Sequence, residues 1–135
     1  AKAGVEIKML IRGIFCMYTE NKKFQKPVLA ISIVDEYLEH SRVMIFHNGG
    51  DEKVFISSAD WMVRNIDHRV EAACPILEKG IKKEIIDIIN IQLNDNIKAR
   101  ILDNELSNQY VNPRNKTKVR SQVETYNYLF NKKYS

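Results

Sequence analysis

Val43-Met44-Ile45-Phe46-His47-Asn48-Gly49-Gly50-Asp51-Glu52-Lys53-Val54-Phe55-Ile56 decides the architecture of this chain. Two continuous apolar runs, 43–46 and 54–56, are separated by Asn48-Gly49-Gly50-Asp51, whose asparagine and glycines accept positive φ at little cost. The stretch predicts a β-hairpin. Because both runs are apolar without alternation, each strand is expected inside a sheet covered by helices on both faces.

Upstream, Val5, Ile7, Met9 and Ile11 alternate with Glu6 and Lys8 and lead into Arg12-Gly13, the pattern of a strand that delivers an arginine to its C-terminal end. Before it, Ala1-Lys2-Ala3-Gly4 reads as the last turn of a helix stopped by glycine, which implies a chain begun further upstream. Residues 13–27 form a polar loop closed by Pro27, and Val28 to Val34 predicts a short strand passing into a helical stub at Asp35-Glu36-Tyr37-Leu38.

Downstream, a strand is expected over Arg69 to Ala73, stopped at Pro75. From Lys79 to about Asn96, Ile81, Ile85, Ile88, Ile89 and Leu93 recur at helical spacing with charges opposite them. A second helix is expected from Lys118 to Asn131, with Val119, Val123, Tyr126 and Phe130 as its buried stripe, after a polar loop over 103–116. Strands interleaved with helices predict an α/β fold with a mixed β-sheet flanked by helices.

With 135 residues and 44% hydrophobic content, one domain spanning 1–135 is the default. Charged residues make up 28% and are scattered through the apolar runs, which speaks for a folded chain. The net charge of +4 leans towards anionic partners. Cys16 and Cys74 make neither a disulfide framework nor a metal-ligand set. No apolar stretch reaches the roughly 20 residues needed to span a bilayer, so a soluble cytoplasmic protein is expected.

Chemistry-bearing residues gather at the expected strand ends: Arg12, then His40-Ser41-Arg42, then Ser57-Ser58-Ala59-Asp60 beyond the hairpin. A histidine and a basic residue two apart on extended chain point to the same side, so imidazole and guanidinium can converge on one anion. An imidazole can donate a hydrogen bond, transfer a proton or attack phosphorus, while arginine offers a planar fork matching phosphate oxygens. Phosphoryl transfer needs mainly positioning and neutralisation of spreading negative charge, which such a set can supply.

This pattern resembles the half-site of the phospholipase D superfamily, in which a His-x-Lys element and a later Gly-Ser-x-Asn-like turn from each of two similar domains meet around a phosphate. Here Arg42 stands for the lysine and Asp60 for the asparagine. The longer run, Ser57-Ser58-Ala59-Asp60-Trp61-Met62 with Arg64-Asn65 and Arg69-Val70-Glu71, resembles the signature of the polyphosphate kinase C-terminal domain. The resemblance continues through Ile11-Arg12-Gly13, Ser32-Ile33-Val34-Asp35, Leu38-Glu39-His40, Asn48-Gly49-Gly50-Asp51, Asp95, Lys98-Ala99-Arg100 and Glu105-Leu106-Ser107-Asn108, and departs most in the loop from Phe15 to Gln25.

The resemblance implies a phospholipase D-like half-domain of an enzyme that reversibly moves the terminal phosphoryl group of ATP onto inorganic polyphosphate. It implies a phosphohistidine in a preceding domain of the same polypeptide, magnesium held by ligands outside this segment, ADP as the other nucleotide, and a homo-oligomeric full-length protein in the cytoplasm or peripherally at the inner membrane face, with no nucleic-acid partner. Arg12 matches a family arginine assigned to ATP binding and His40 the second active-site histidine, so His40 is the catalytic candidate and both are nucleotide and phosphate ligands. Arg42, Arg64 and Arg69 are further candidates along the polyphosphate path, with Ser58 and Asp60 at the turn. The fragment alone is expected to be inactive.

Plainer roles stand beside these. Ser58 and Asp60 could cap the turn at Trp61-Met62, Arg69 and Glu71 could pair with each other, and Trp61 reads as core. His47 reads as hairpin edge and His68 as structural or exposed. Arg114, Lys116, Lys118 and Arg120 read as a solvated face. Two rival functions fit the same residues: a phospholipase D-like phosphodiesterase or nuclease, and a non-catalytic polyanion-binding module.

Overall fold

The computed structural model describes residues 1–112 and 117–134, so Arg114 and Lys116 lie outside the described residues. The chain divides into two compact units, one made of 1–38 with 88–135 and the other of 39–87.

The first unit is built on a three-stranded sheet of β1 (Lys8–Leu10), β2 (Leu29–Ile33) and β6 (Ala99–Ile101), with β2 in the middle. β1 runs parallel to β2, pairing Lys8 with Leu29 and Leu10 with Ile31. β6 runs antiparallel to β2, pairing Ile31 with Ile101 and Ile33 with Ala99. A central strand is shielded on both edges, and Ala30 and Ile31 are buried along with Val28 and Ala99 beside them. Parallel strands need a long crossover, here the polar loop over 11–28. Asn104 pins that loop: its Oδ1 accepts from the Thr19 N–H at 2.8 Å and its Nδ2 donates to the Glu20 carbonyl at 3.0 Å.

Two carboxylates fasten the same unit. Asp95 is fully buried, and its oxygens accept backbone N–H bonds from Ile97 (3.0 Å), Lys98 (2.7 Å), Ala99 (3.0 Å) and Ser121 (2.7 Å). One side chain thereby ties the entrance of β6 to the first residue of α3 (Ser121–Tyr134). Burial alone would push the Asp95 carboxyl up, but the donors from Ser121, Lys98 and Ala99 outweigh it and hold the group below the ordinary carboxylate range. Asp35 takes a two-pronged bond from Arg120, Nε to Oδ2 at 2.9 Å and Nη2 to Oδ1 at 2.7 Å. Arg120, expected on a solvated face, is instead a cross-link, and the bond holds Asp35 below its usual range against its burial.

The second unit carries a three-stranded antiparallel sheet in the order β3 (Val43–Phe46), β4 (Lys53–Ser57), β5 (Ala73–Pro75). The hairpin forms as expected, pairing Val43 with Ile56 and Phe46 with Lys53. Its connection holds Asn48, Gly49 and Gly50 at φ of 47°, 67° and 97°. Val54 is buried, and Phe46 meets Phe55 edge to face with centroids 6.1 Å apart. Helix α1 (Val63–Ile66) is a single turn, and α2 (Lys79–Leu93) ends three residues earlier than the periodicity suggests.

Several local expectations are corrected. The helical stub at 35–38 does not form, because Asp35 is committed to Arg120 and the Tyr37 backbone to Gln122, whose Oε1 accepts from its N–H at 3.1 Å and whose Nε2 donates to its carbonyl at 2.7 Å. The strand expected over 69–73 begins only at Ala73, since Ala72 donates to the Ser58 hydroxyl rather than to a backbone carbonyl, at 3.0 Å. Ile45, Phe46 and Ile56 are exposed rather than covered, and so are Trp61 and the α3 stripe of Val123, Tyr126 and Phe130.

Removing the Asp95 carboxylate strands buried N–H donors, so Asp95→Ala should destabilise the chain by about 2–4 kcal/mol in denaturant unfolding. A folded pKa below the unfolded one means that Asp95 stabilises above the ordinary carboxylate range and that this contribution fades as pH falls through the folded value. The stability gap between the native chain and Asp95→Asn should therefore shrink in acid. A gap unchanged from about pH 7 to about pH 3 would contradict this role.

Candidate functional site

Arg12 sits two residues beyond the end of β1, and its side chain is exposed. The Ile11 N–H donates to the Ile31 carbonyl at 2.9 Å, so ladder bonding with β2 continues up to the residue before it. A rigid strand thus fixes where the arginine leaves the sheet. Arg12 belongs to the first compact unit, and His40 with every other candidate belongs to the second.

Within the second unit the candidates form a connected set. His40 and Arg42 lie just before β3 on chain without regular structure, His40 exposed and Arg42 half-buried. The guanidinium of Arg42 turns towards Asp60, with Nε donating to Oδ1 at 2.8 Å, and its Nη1 donates to the His40 carbonyl at 3.3 Å. Asp60 raises the Arg42 pKa above its ordinary value through that hydrogen bond, with added attraction from Asp60 and Glu71. Two of the positions that differ from the phospholipase D pattern, arginine for lysine and aspartate for asparagine, are therefore partners of each other.

Behind this pair stands a second carboxylate. Glu71 accepts from the Ser58 hydroxyl through Oε2, and through Oε1 from Asn65 Nδ2 at 2.7 Å. These bonds, with Arg69 and Arg42 nearby, hold the Glu71 carboxyl below its usual range. Ser58 also donates its N–H to the Ala72 carbonyl and accepts the Ala72 N–H on its hydroxyl, both at 3.0 Å. Asn65 is buried, its amide consumed within this net.

The capping role considered for Ser58 and Asp60 is corrected by these partners. The residue preceding α1 is Met62, and no side chain caps it. Arg64 and Arg69 are exposed, Arg64 reaching Asn65 Oδ1 at 3.4 Å and Arg69 acting on Glu71 by charge. His47 lies at the hairpin turn, where its carbonyl accepts from Gly50 at 3.0 Å, and His68 is exposed. Asn65 and Glu71 are the members that sequence reasoning left without a site role. Their partners lie six and thirteen residues away across a turn, a separation that no helical or strand period marks.

Among the described residues no three His, Cys, Asp or Glu side chains converge as a metal-ion site would require. A cavity of about 280 Å³ lined by Glu20, Asn21, Phe24 and Pro27 includes none of the candidates.

Comparison with known proteins places this geometry. The family model described as polyphosphate kinase C-terminal domain 2 matches residues 1–122. The chain is 52% identical over 131 residues to a polyphosphate kinase of Vibrio parahaemolyticus, covering 97% of this chain and 19% of the relative. It is 49% identical over 129 residues to a polyphosphate kinase of Escherichia coli K12, again 19% of that protein's length. A crystal structure of polyphosphate kinase from Porphyromonas gingivalis superimposes with a TM-score of 0.92 at 49% identity, covering 97% of this chain and 20% of that one. The fold is accordingly the α/β one expected from the strand and helix pattern, and the phospholipase D-like one that the resemblance implied. With its first 122 residues matched by that model and nearly its whole length by these relatives, the chain belongs to the polyphosphate kinase C-terminal domain 2 family.

Proposed function

We propose that this chain serves as one C-terminal domain of a longer ATP:polyphosphate phosphotransferase, which moves the terminal phosphoryl group of ATP reversibly onto inorganic polyphosphate. The observation that carries this is coverage: relatives named polyphosphate kinase match 96–97% of the chain at 49–52% identity, while the chain spans 18–19% of their length. Arg12 and His40 contribute to nucleotide and phosphate binding, Arg12 by neutralising the migrating phosphoryl group and His40 by hydrogen-bonding phosphate oxygens or shuttling a proton. Phosphoryl transfer asks for positioned charge more than for covalent chemistry at every group, and this division of labour meets that need. The phosphorylated histidine and the groups that hold magnesium belong to the rest of the polypeptide, and no step assigned to this chain runs through a metal.

Exposed apolar side chains support the need for that remainder. Trp61, Val63, Ile66 and Val70 in one unit, and Val123, Tyr126 and Phe130 in the other, are open to solvent here. Large exposed apolar sets mark surfaces that are covered in the working assembly. We assign their cover to the preceding catalytic domain and to a homo-oligomer. Among the described residues no helix is long and apolar enough to cross a membrane. On the family resemblance we place the enzyme in the cytoplasm or peripherally at the inner membrane face.

A phosphodiesterase role finds less support, because the basic residue two after the histidine, which would meet a phosphate in that chemistry, is bonded to Asp60. In the full-length protein His40→Ala should lower the turnover number for polyphosphate synthesis by about 10²- to 10⁴-fold with an unchanged unfolding midpoint. Arg12→Ala should cost about 10²- to 10³-fold. Wild-type rates in His40→Ala would remove the site assignment. The purified 135-residue chain, given ATP and magnesium, should make no polyphosphate; synthesis by it would show that one half-site suffices.

A further inference from the structure

We propose that Arg42 is a positioning residue that fixes the His40 backbone, not a ligand of the polyphosphate chain. The inference rests on the assignment of His40 to the phosphoryl-transfer site. Residue 42 is held at both ends: its carbonyl accepts the Ser57 N–H at 2.9 Å, and its guanidinium bonds Asp60 Oδ1 at 2.8 Å and the His40 carbonyl at 3.3 Å. The segment carrying His40 is thereby clamped to the turn that follows β4. That turn is anchored in its own right by Glu71, which takes Ser58 and Asn65, and by the bonds exchanged between Ser58 and Ala72. Asp60 and Arg42 expose 26% and 31% of their side chains, enough shielding from water for the pair to hold one geometry.

Charge supports the same role. The guanidinium of Arg42 feels both Asp60 and Glu71, and Arg69 adds a second cation against Glu71. Two carboxylates, Asp60 and Glu71, face the Arg42 guanidinium, so its charge is already answered within the cluster. A phosphate chain approaching Arg42 would have to displace a charge-assisted hydrogen bond to gain one of similar strength.

Lysine distinguishes the two roles, because it keeps the charge but lacks the Nε and Nη donors that span Asp60 and the His40 carbonyl. In the full-length enzyme assayed with ATP and inorganic polyphosphate, Arg42→Lys and Arg42→Ala should lower kcat alike, by about 10- to 100-fold, leaving both KM values within about twofold. Asp60→Asn should lower kcat in the same way, and Arg42→Ala with Asp60→Asn should be no worse than the poorer single variant. The opposite pattern, with near-native Arg42→Lys and a raised KM for polyphosphate in Arg42→Ala, overturns the proposal. His40→Ala in the same assay separates the two claims. Full activity there removes the site assignment, whereas lost activity beside a ligand-like Arg42 removes only the positioning role.

Discussion

A carboxylate sealed from water must have its lone pairs answered by the protein, and Asp95 meets that demand with backbone donors from two distant segments. Much of the first unit follows from this. Ala99 can enter β6 because its N–H and those of the two residues before it are already oriented, and α3 can begin at Ser121 because its first free donor is met. The strands are three to five residues long and the buried apolar residues few, so regular hydrogen bonding and hydrophobic burial leave the connections underdetermined. Carboxylates complete the specification: Asp35 against Arg120, Asp60 against Arg42, Glu71 against Ser58 and Asn65.

This explains which parts of the fold were legible from residue order. The hairpin over 43–57, the central strand after Pro27 and the long helix from Lys79 announce themselves by local pattern, and all are present. β6 does not, because three residues with an arginine in the middle carry no period, and their pairing with β2 is set by Asp95. The stub at 35–38 and the start of β5 were misplaced for the same reason: distant side chains took the groups that local structure would have used. The apolar stripe of α3 was readable as apolar, but Val123, Tyr126 and Phe130 are exposed, since a helical period fixes which residues share a face and not whether that face is packed.

The candidate residues were legible in the sequence, whereas the bonds that connect them were not. Arg12, His40, Arg42, Ser58, Asp60, Arg64 and Arg69 could be named from strand ends and from the resemblance carried by 57–71. That Arg42 and Asp60 pair is not legible in residue order, since 18 residues separate them and no local period links the two. Taken together, these two departures from the phospholipase D pattern form an internal ion pair. Glu71 shows the complementary lesson. An acidic residue beside arginines in a predicted strand suggested a surface ion pair, whereas its oxygens are occupied by a hydroxyl and a buried amide.

The central claim is that these residues form one part of a phosphotransferase site completed by a longer polypeptide. The most direct test is to replace the corresponding C-terminal segment of the Vibrio parahaemolyticus polyphosphate kinase, matched at 52% identity over 131 residues, with this chain and to measure ATP-dependent polyphosphate synthesis. Synthesis within about tenfold of the parent enzyme, roughly 1.4 kcal/mol in the barrier, is the outcome expected. A folded chimera that binds ATP and polyphosphate yet transfers no phosphoryl group would contradict it.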